Sequence, residues 1–137
     1  MTVAVLRGLT RNRAETAQDA TDRRLRGRTY AVPFEQVWTA TVMVVRGRRG
    51  WTVLHTDDIE GVLRAEVRTA LGFTHDVQIR VGLDANGQTR VDLVSASRVG
   101  RGDLGKNARR IGRFLRTLDR ELDTMRRRAA PRAPATR

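Results

Sequence analysis

The sequence predicts an α+β fold of two layers, an antiparallel sheet of four to five strands with two amphipathic helices on one face. Three observations carry this. Phe73, His75, Val77, Ile79, Val81 and Leu83 alternate with mostly polar residues, and Val91, Leu93, Ser95 and Ser97 continue the alternation, which is the period of half-buried strands. Two other stretches carry apolar residues three and four apart, the period of helices packed on a core. Hairpin-length segments join the strands, so neighbours run antiparallel.

The elements follow in order. Thr29 to Val32 reads as a short edge strand. Pro33 suits a helix start, where its missing N–H is no loss, and Phe34, Val37, Trp38, Thr41, Val44 and Val45 then mark one helical face. Gly47 and Gly50 end that helix. Trp51 to His55 is a strand, Thr56 to Gly61 is turn chemistry, and Leu63, Ala65 and Val67 alternate with Arg64, Glu66 and Arg68. Ala70-Leu71-Gly72 connects to the strand that begins near Phe73.

The next hairpin is decided by parity. A two-residue Asn86-Gly87 turn would place Val81 opposite Asp92 and mix the faces. A three-residue loop, Ala85-Asn86-Gly87, pairs Val81 with Val91 and Ile79 with Leu93, and puts Gly87 at the left-handed position. The same register sets Arg80 opposite Asp92, where a cross-strand ion pair is expected. The last helix is the strongest element. Asp103 is its N-cap, Leu104, Ala108, Ile111, Leu115, Leu118, Leu122 and Met125 form the buried stripe, and Arg109, Arg113, Arg116 and Arg120 form a solvated one. The order β-α-β-β-β-β-α is that of a reduced helix-grip plan.

Of 137 residues, 29–125 form the expected single domain, with 1–28 a flexible or weakly helical basic arm and 126–137 a disordered Arg/Ala/Pro tail. The net charge of +12 is carried mostly by the ends. Residues 1–28 hold seven Arg against three acids, 126–137 hold five Arg and no acid, and the core is only mildly basic. Nonspecific phosphate contacts through Arg126, Arg127, Arg128 and Arg132 follow as one reading, a solvated tail as the other. The absence of cysteine excludes disulfides and thiolate metal sites, no apolar run reaches the length of a membrane span, and no leader is read at Met1 to Leu9. The expected compartment is the cytoplasm. Val62, Val94 and Ala96 leave the outer sheet face partly apolar, so the arm or a second copy could cover it.

No set of residues reads as catalytic, and no cofactor is expected. Gly100, Gly102 and Gly105 spell G-x-G-x-x-G, but only a polar tail follows the helix, so no second parallel strand can complete a dinucleotide site. Gly100 and Gly102 read as a turn and Gly105 as allowing close packing, with Arg98 and Arg101 nearby for a weaker anion contact that Asp103 would oppose. His55 and His75, with Asp76, are the minimum for a metal site, but their spacing matches none, and both fall on the expected inward face. Ser95 and Ser97 also alternate inward and have no positioned partners for nucleophilic work. Asp57 and Asp58 sit in a turn that explains them.

The run Ser95 to Ile111 resembles the signature of the family called domain of unknown function 1499. Gly72 to Val77 and Gly50-Trp51 resemble two further blocks, and the resemblance covers about residues 30–122. It implies a small domain with no known reaction, often on membrane-anchored or exported bacterial proteins and in plastid proteins. The chain departs from the pattern at His75 and Arg64, where the family has acids, and at Val94, where it has arginine. Asp76, Ser95, Ser97, Arg98, Asp103, Asn107 and Arg110 match the motif, with structural roles implied: Arg98 pairs with Asp76 or Asp103, and Asn107 braces the turn. The expected function is a non-catalytic binding or scaffold module for a protein or small-ligand partner, and the alternative is nonspecific nucleic-acid binding through the terminal arms.

Overall fold

Alternation along the longest hairpin sets the architecture, which the computed structural model describes for residues 13–98 and 104–130. Strands β1 (Arg13–Glu15), β2 (Arg28–Tyr30), β3 (Trp51–Asp57), β4 (Val62–Arg68), β5 (Thr74–Leu83) and β6 (Thr89–Ser97) form one antiparallel sheet. Helix α1 (Phe34–Gly47) follows β2, and α2 (Leu104–Ala129) follows β6. The order across the sheet is β1-β6-β5-β4-β3, with β2 also on β6. The α+β class and the antiparallel sheet are as the sequence predicts, with one strand more.

The β5–β6 register is the one that parity requires. Val81 pairs with Val91, and Ile79 with Leu93. Gly87 adopts φ 76°, and the Asp84 carboxylate accepts the backbone N–H groups of Asn86 and Gln88, closing the three-residue loop. Arg80 does face Asp92. The expected ion pair between them is replaced by a closer one. Arg90, two residues back on the same face, holds Asp92 at 2.9 Å, and Thr16 Oγ1 donates to it at 2.7 Å. The register is right, and the choice of partner within it is not.

Both helices pack on the face formed by the odd-numbered residues of β4, β5 and β6. Val37, Val44 and Val45 of α1 and Ala108, Ile111, Leu115, Leu118 and Leu122 of α2 are buried against Leu63, Ile79, Val81, Val91 and Leu93. The stripe on α2 is wider than the sequence reading has it. Phe114 is fully buried as well, and its ring stacks on Trp51 with centroids 5.7 Å apart. Burying a side chain of that size contributes about 1.5–3 kcal/mol.

Residues 13–28 depart from the expected flexible arm. They lie end to end along the outer edge of β6, β1 against Val94–Ala96 and β2 against Thr89–Val91. Ala14 and Leu25 reach the core between them, and Thr16 continues the ladder by exchanging two hydrogen bonds with Leu93. The strands are three residues each, too short for a period to show, and an otherwise unpaired edge of β6 accounts for their formation. Asp119 of α2 fastens the second, accepting from the Tyr30 hydroxyl at 2.6 Å and from Arg28 at 3.2 Å. Burial, with Asp119 beside it, pushes the Tyr30 phenol far above its ordinary pKa. At the other end α2 runs to Ala129, so Arg126, Arg127 and Arg128 are helical rather than part of the expected tail. Arg132 lies outside the described residues.

One turn is built with no room to spare. Gly61 adopts φ 68°, and its carbonyl accepts the Val81 N–H at 2.7 Å, adding one rung to the β4–β5 ladder. A Cβ there would collide with the Val81 carbonyl oxygen and the Phe34 ring. Gly72, at φ 84°, faces open space. Gly61→Ala is expected to lose about 3 kcal/mol or more in urea unfolding, and Gly72→Ala only about 1 kcal/mol. Equal losses at the two positions would refute the packing argument.

Candidate functional site

Where α2 crosses the end of β6, a polar layer replaces the apolar core. Asn107 is fully buried one turn into the helix. Its Nδ2 donates to Ser97 Oγ at 3.1 Å, and its Oδ1 accepts from Ser95 Oγ at 2.8 Å and from an Arg110 guanidinium nitrogen at 2.9 Å. Arg110 also donates to Ser95 Oγ at 3.1 Å. Strand alternation turns both serines inward, and the i, i+3 spacing sets Asn107 and Arg110 on one helix face. Four of the motif residues therefore meet in one network. Asp76 and Arg98 meet on the opposite face of the sheet, where Arg98 donates to Asp76 at 2.7 Å and to Glu66 at 3.3 Å. That arginine holds the Asp76 carboxyl below its ordinary range. Asp103 and the preceding glycine turn lie outside the described residues.

Ser97 Oγ lies 2.9 Å from His75 Nδ1. The sequence reading gave Ser97 no positioned partner, and this contact corrects it. A serine–imidazole pair is the core of an activated nucleophile. Here His75 is buried, Ser97 already accepts from Asn107, and neither residue lines either of the clefts described below. Asp76, the adjacent acid, points to the other face and is held by Arg98.

The two histidines do not meet. The β3–β4 register slips between Val53 and His55, so that Val53 faces Ala65 and His55 faces Arg64. Leu54 is the extra residue of a bulge, which inverts the alternation after it. His55 is therefore exposed on the outer face, while His75 is buried on the inner one. Among the described residues no His, Asp or Glu side chains gather into a group of three suited to a metal.

Two clefts open on the surface. One, of about 870 Å³, lies on the outer sheet face between Arg13–Gln18, Leu54, Arg64, Gln78 and Val94. The other, of about 970 Å³, sits at the end of the domain where α1 stops, β3 starts, β4 ends and α2 begins. It is lined by Arg48, Arg49, Arg68, Lys106, Arg109, Arg110 and Arg113, with Trp51 as its apolar wall, and by no carboxylate among the described residues. Arg48 lies over the Trp51 ring, 5.2 Å from its centroid, and donates to Thr117 Oγ1 at 3.0 Å. Arg48 and Arg110 thus donate to neutral oxygens, of Thr117, Ser95 and Asn107. Burial first, and then Arg113 beside it, pulls the Arg48 pKa down. Arg110 is lowered by burial and then by Arg113 and Arg48. This cluster is absent from the sequence reading: Arg109 and Arg113 are exposed, as the expected solvated stripe has them, but they also line this cleft. Two pairs of adjacent arginines, one beside Gly50-Trp51 and one inside the long motif, were the available signal.

All three sequence blocks thus converge on this end of the domain: Trp51 in the wall, His75 and the serines beneath, Asn107 and Arg110 between them. The model for the family described as protein of unknown function (DUF1499) matches residues 8–118. The chain belongs to that family. None of the curated proteins matches it. The match to DUF1499 starts well before residue 30, so it takes in β1 and β2, the two edge strands that the sequence reading placed wholly or partly outside the resemblance.

Two outcomes follow. Asn107→Ala strands Ser95 and Arg110 in a buried place, and denaturant unfolding should show a loss of about 2–3 kcal/mol. A loss below about 0.5 kcal/mol would mean that the network does not hold the helix. For Arg98→Ala the sign follows from Asp76. Its folded pKa is depressed, so the stabilisation is present above the ordinary carboxylate range and fades as pH falls through the depressed value. The variant's melting temperature should lie slightly below wild type at neutral pH and converge with it in acid. A constant gap would assign the effect to packing instead.

Proposed function

We propose that this domain is a non-catalytic binding module whose ligand is a small anion, a phosphate or carboxylate, seated in the cationic cleft. One observation carries the reading: seven cations line a single cleft with no carboxylate among its described walls. Like charges gathered in this way oppose folding, and burial of Arg48 and Arg110 adds to the cost. A bound anion offsets the repulsion and supplies charged acceptors that compensate for the lost water. Guanidinium groups suit the task because their planar donors match the oxygens of phosphate and carboxylate. No catalytic role is proposed for Ser97 or His75. The expected cytoplasmic location is kept as part of the proposal. Among the described residues no helix is long and apolar enough to cross a membrane.

The alternative, nucleic-acid contacts through the terminal arms, draws less support. Arg126 and Arg127 both reach Asp123 at 3.1 Å, so part of their charge is already answered. Self-association through Val62, Val94 and Ala96 would have to desolvate the Arg98–Asp76 and Arg98–Glu66 pairs on the same face.

Inorganic phosphate, pyrophosphate and citrate should each raise the melting temperature of the full chain along a saturating curve. Arg113→Gln separates this reading from generic salt stabilisation. It should raise the stability of the free chain by about 0.5 kcal/mol, through relief of repulsion, while weakening anion binding roughly tenfold. Unsaturable stabilisation that is equal in wild type and variant would sink the proposal.

A further inference from the structure

The cationic cleft opens beside an apolar hairpin tip. The β4–β5 turn is closed by Thr69, whose N–H donates to the Phe73 carbonyl at 2.9 Å and whose hydroxyl accepts the Phe73 N–H at 3.1 Å. The Gly72 N–H donates to the Thr69 carbonyl at 2.9 Å, which places Leu71 at the apex. Leu71 is 79% exposed and Phe73 51%. Alternation from Thr74 puts Phe73 on the helix side of the sheet, the side on which α2 carries Lys106 and Arg109. Thr69 and Ala70, at the base of this turn, line the cleft itself together with Arg49 and Arg68.

Single exposed apolar residues are ordinary on a protein surface, so the opposite end of the sheet is a useful comparison. Ile59, in the β3–β4 turn, is 91% exposed, but its neighbours are Asp57, Asp58 and Glu60, with Asp84 in the adjacent β5–β6 turn. The two ends differ in charge sign. Only the Leu71–Phe73 end joins an apolar projection held in a fixed turn to a ring of cations. That pairing matches the two layers of an anionic bilayer surface, with acyl chains below and phosphates above.

We infer that this end of the domain docks on an anionic phospholipid surface, with Leu71 and Phe73 entering the acyl boundary while Arg49, Arg68, Lys106 and Arg109 take the headgroup phosphates. The inference rests on the anion-binding reading and names where that anion is presented. Each cation near an anionic leaflet strengthens binding by roughly fivefold at low salt, and the two apolar side chains supply a share that salt does not screen.

The test is co-sedimentation of the full chain with vesicles of equal parts phosphatidylglycerol and phosphatidylcholine, and with phosphatidylcholine alone, at physiological salt. Binding to the first and not the second is expected. Leu71→Ser with Phe73→Ser should cut the partition coefficient at least tenfold, Arg49→Ala with Arg68→Ala should cut it similarly, and Ile59→Ser should leave it unchanged. All of these positions are exposed, and the folding of each variant is checked by its melting temperature. If inorganic phosphate still raises the melting temperature but the vesicles do not bind, the anion site stands and the membrane inference falls. If neither binds, both fall. Vesicle binding that ignores the Leu71/Phe73 variant, or labelled duplex DNA captured by the same cations in place of vesicles, also overturns it.

Discussion

The structure turns on one buried amide. Asn107 sits where α2 leaves the apolar core, and it links two serines of β6 to an arginine of its own helix. An apolar residue there would remove one of the two acceptors of Arg110 and leave the hydroxyls of Ser95 and Ser97 without their amide partner. An aspartate would accept from Arg110 but could not donate to Ser97. Only an amide both donates and accepts in one plane. The result is a fixed rotation of α2 about its axis. That rotation sets Arg109, Arg110 and Arg113 along one open cleft with Arg48 and Trp51, Arg110 half-buried and Arg109 and Arg113 exposed.

Charge is separated along the strand direction. Cations gather where β4 ends and β5 begins, and acids gather at the opposite turns, at Asp57, Asp58, Glu60 and Asp84. A randomly mixed surface would be more stable, since each arginine could find a carboxylate. Stabilisation by surface pairs is small, but repulsion accumulates among seven cations in one cleft, two of them, Arg48 and Arg110, half-buried. Arg48 and Arg110 keep neutral hydrogen-bond partners within this cluster, and the proposed anion would supply the opposite charge.

Much of the fold was legible from residues alone, because parity is an integer constraint. Alternation in β5 and β6 left one loop length for the hairpin, and the register followed. The same logic failed at His55, because a bulge at Leu54 adds one residue without any mark in the local composition. It failed at Arg13–Glu15 because three residues carry no period, and what pairs them is the edge of a strand eighty residues away in sequence. The inner network was half legible. The resemblance named Asn107, Ser95, Ser97 and Arg110 among seven motif residues and implied an Arg98–Asp76 pair, but it set Asn107 against the turn and did not say that the four would meet in one network. The cationic cleft was hidden by the same separation of charge that defines it. Counted over residues 29–125, acids nearly cancel bases, and the excess falls at the termini. A sum has no direction, whereas the site depends on three chain segments folding to one end.

The outer cleft shows why cavity size does not decide between candidate sites. It is nearly as large as the cationic one and includes the apolar surfaces of Leu54, Val94 and Ala96. Its charges, however, are largely answered within the protein: Arg90 by Asp92, Arg13 by Glu15, and Asp76 by Arg98. A ligand entering there must compete with those pairs or leave them intact, and gains little electrostatically either way. At the cationic end the corresponding partners among the described residues are a serine, an asparagine, a threonine and an indole ring, all neutral. The exposed guanidiniums of Arg49, Arg68, Arg109 and Arg113 face the cleft with no carboxylate in its described lining. The difference in counter-charge, and not in volume, is what favours the cationic end over the outer cleft as the proposed anion site.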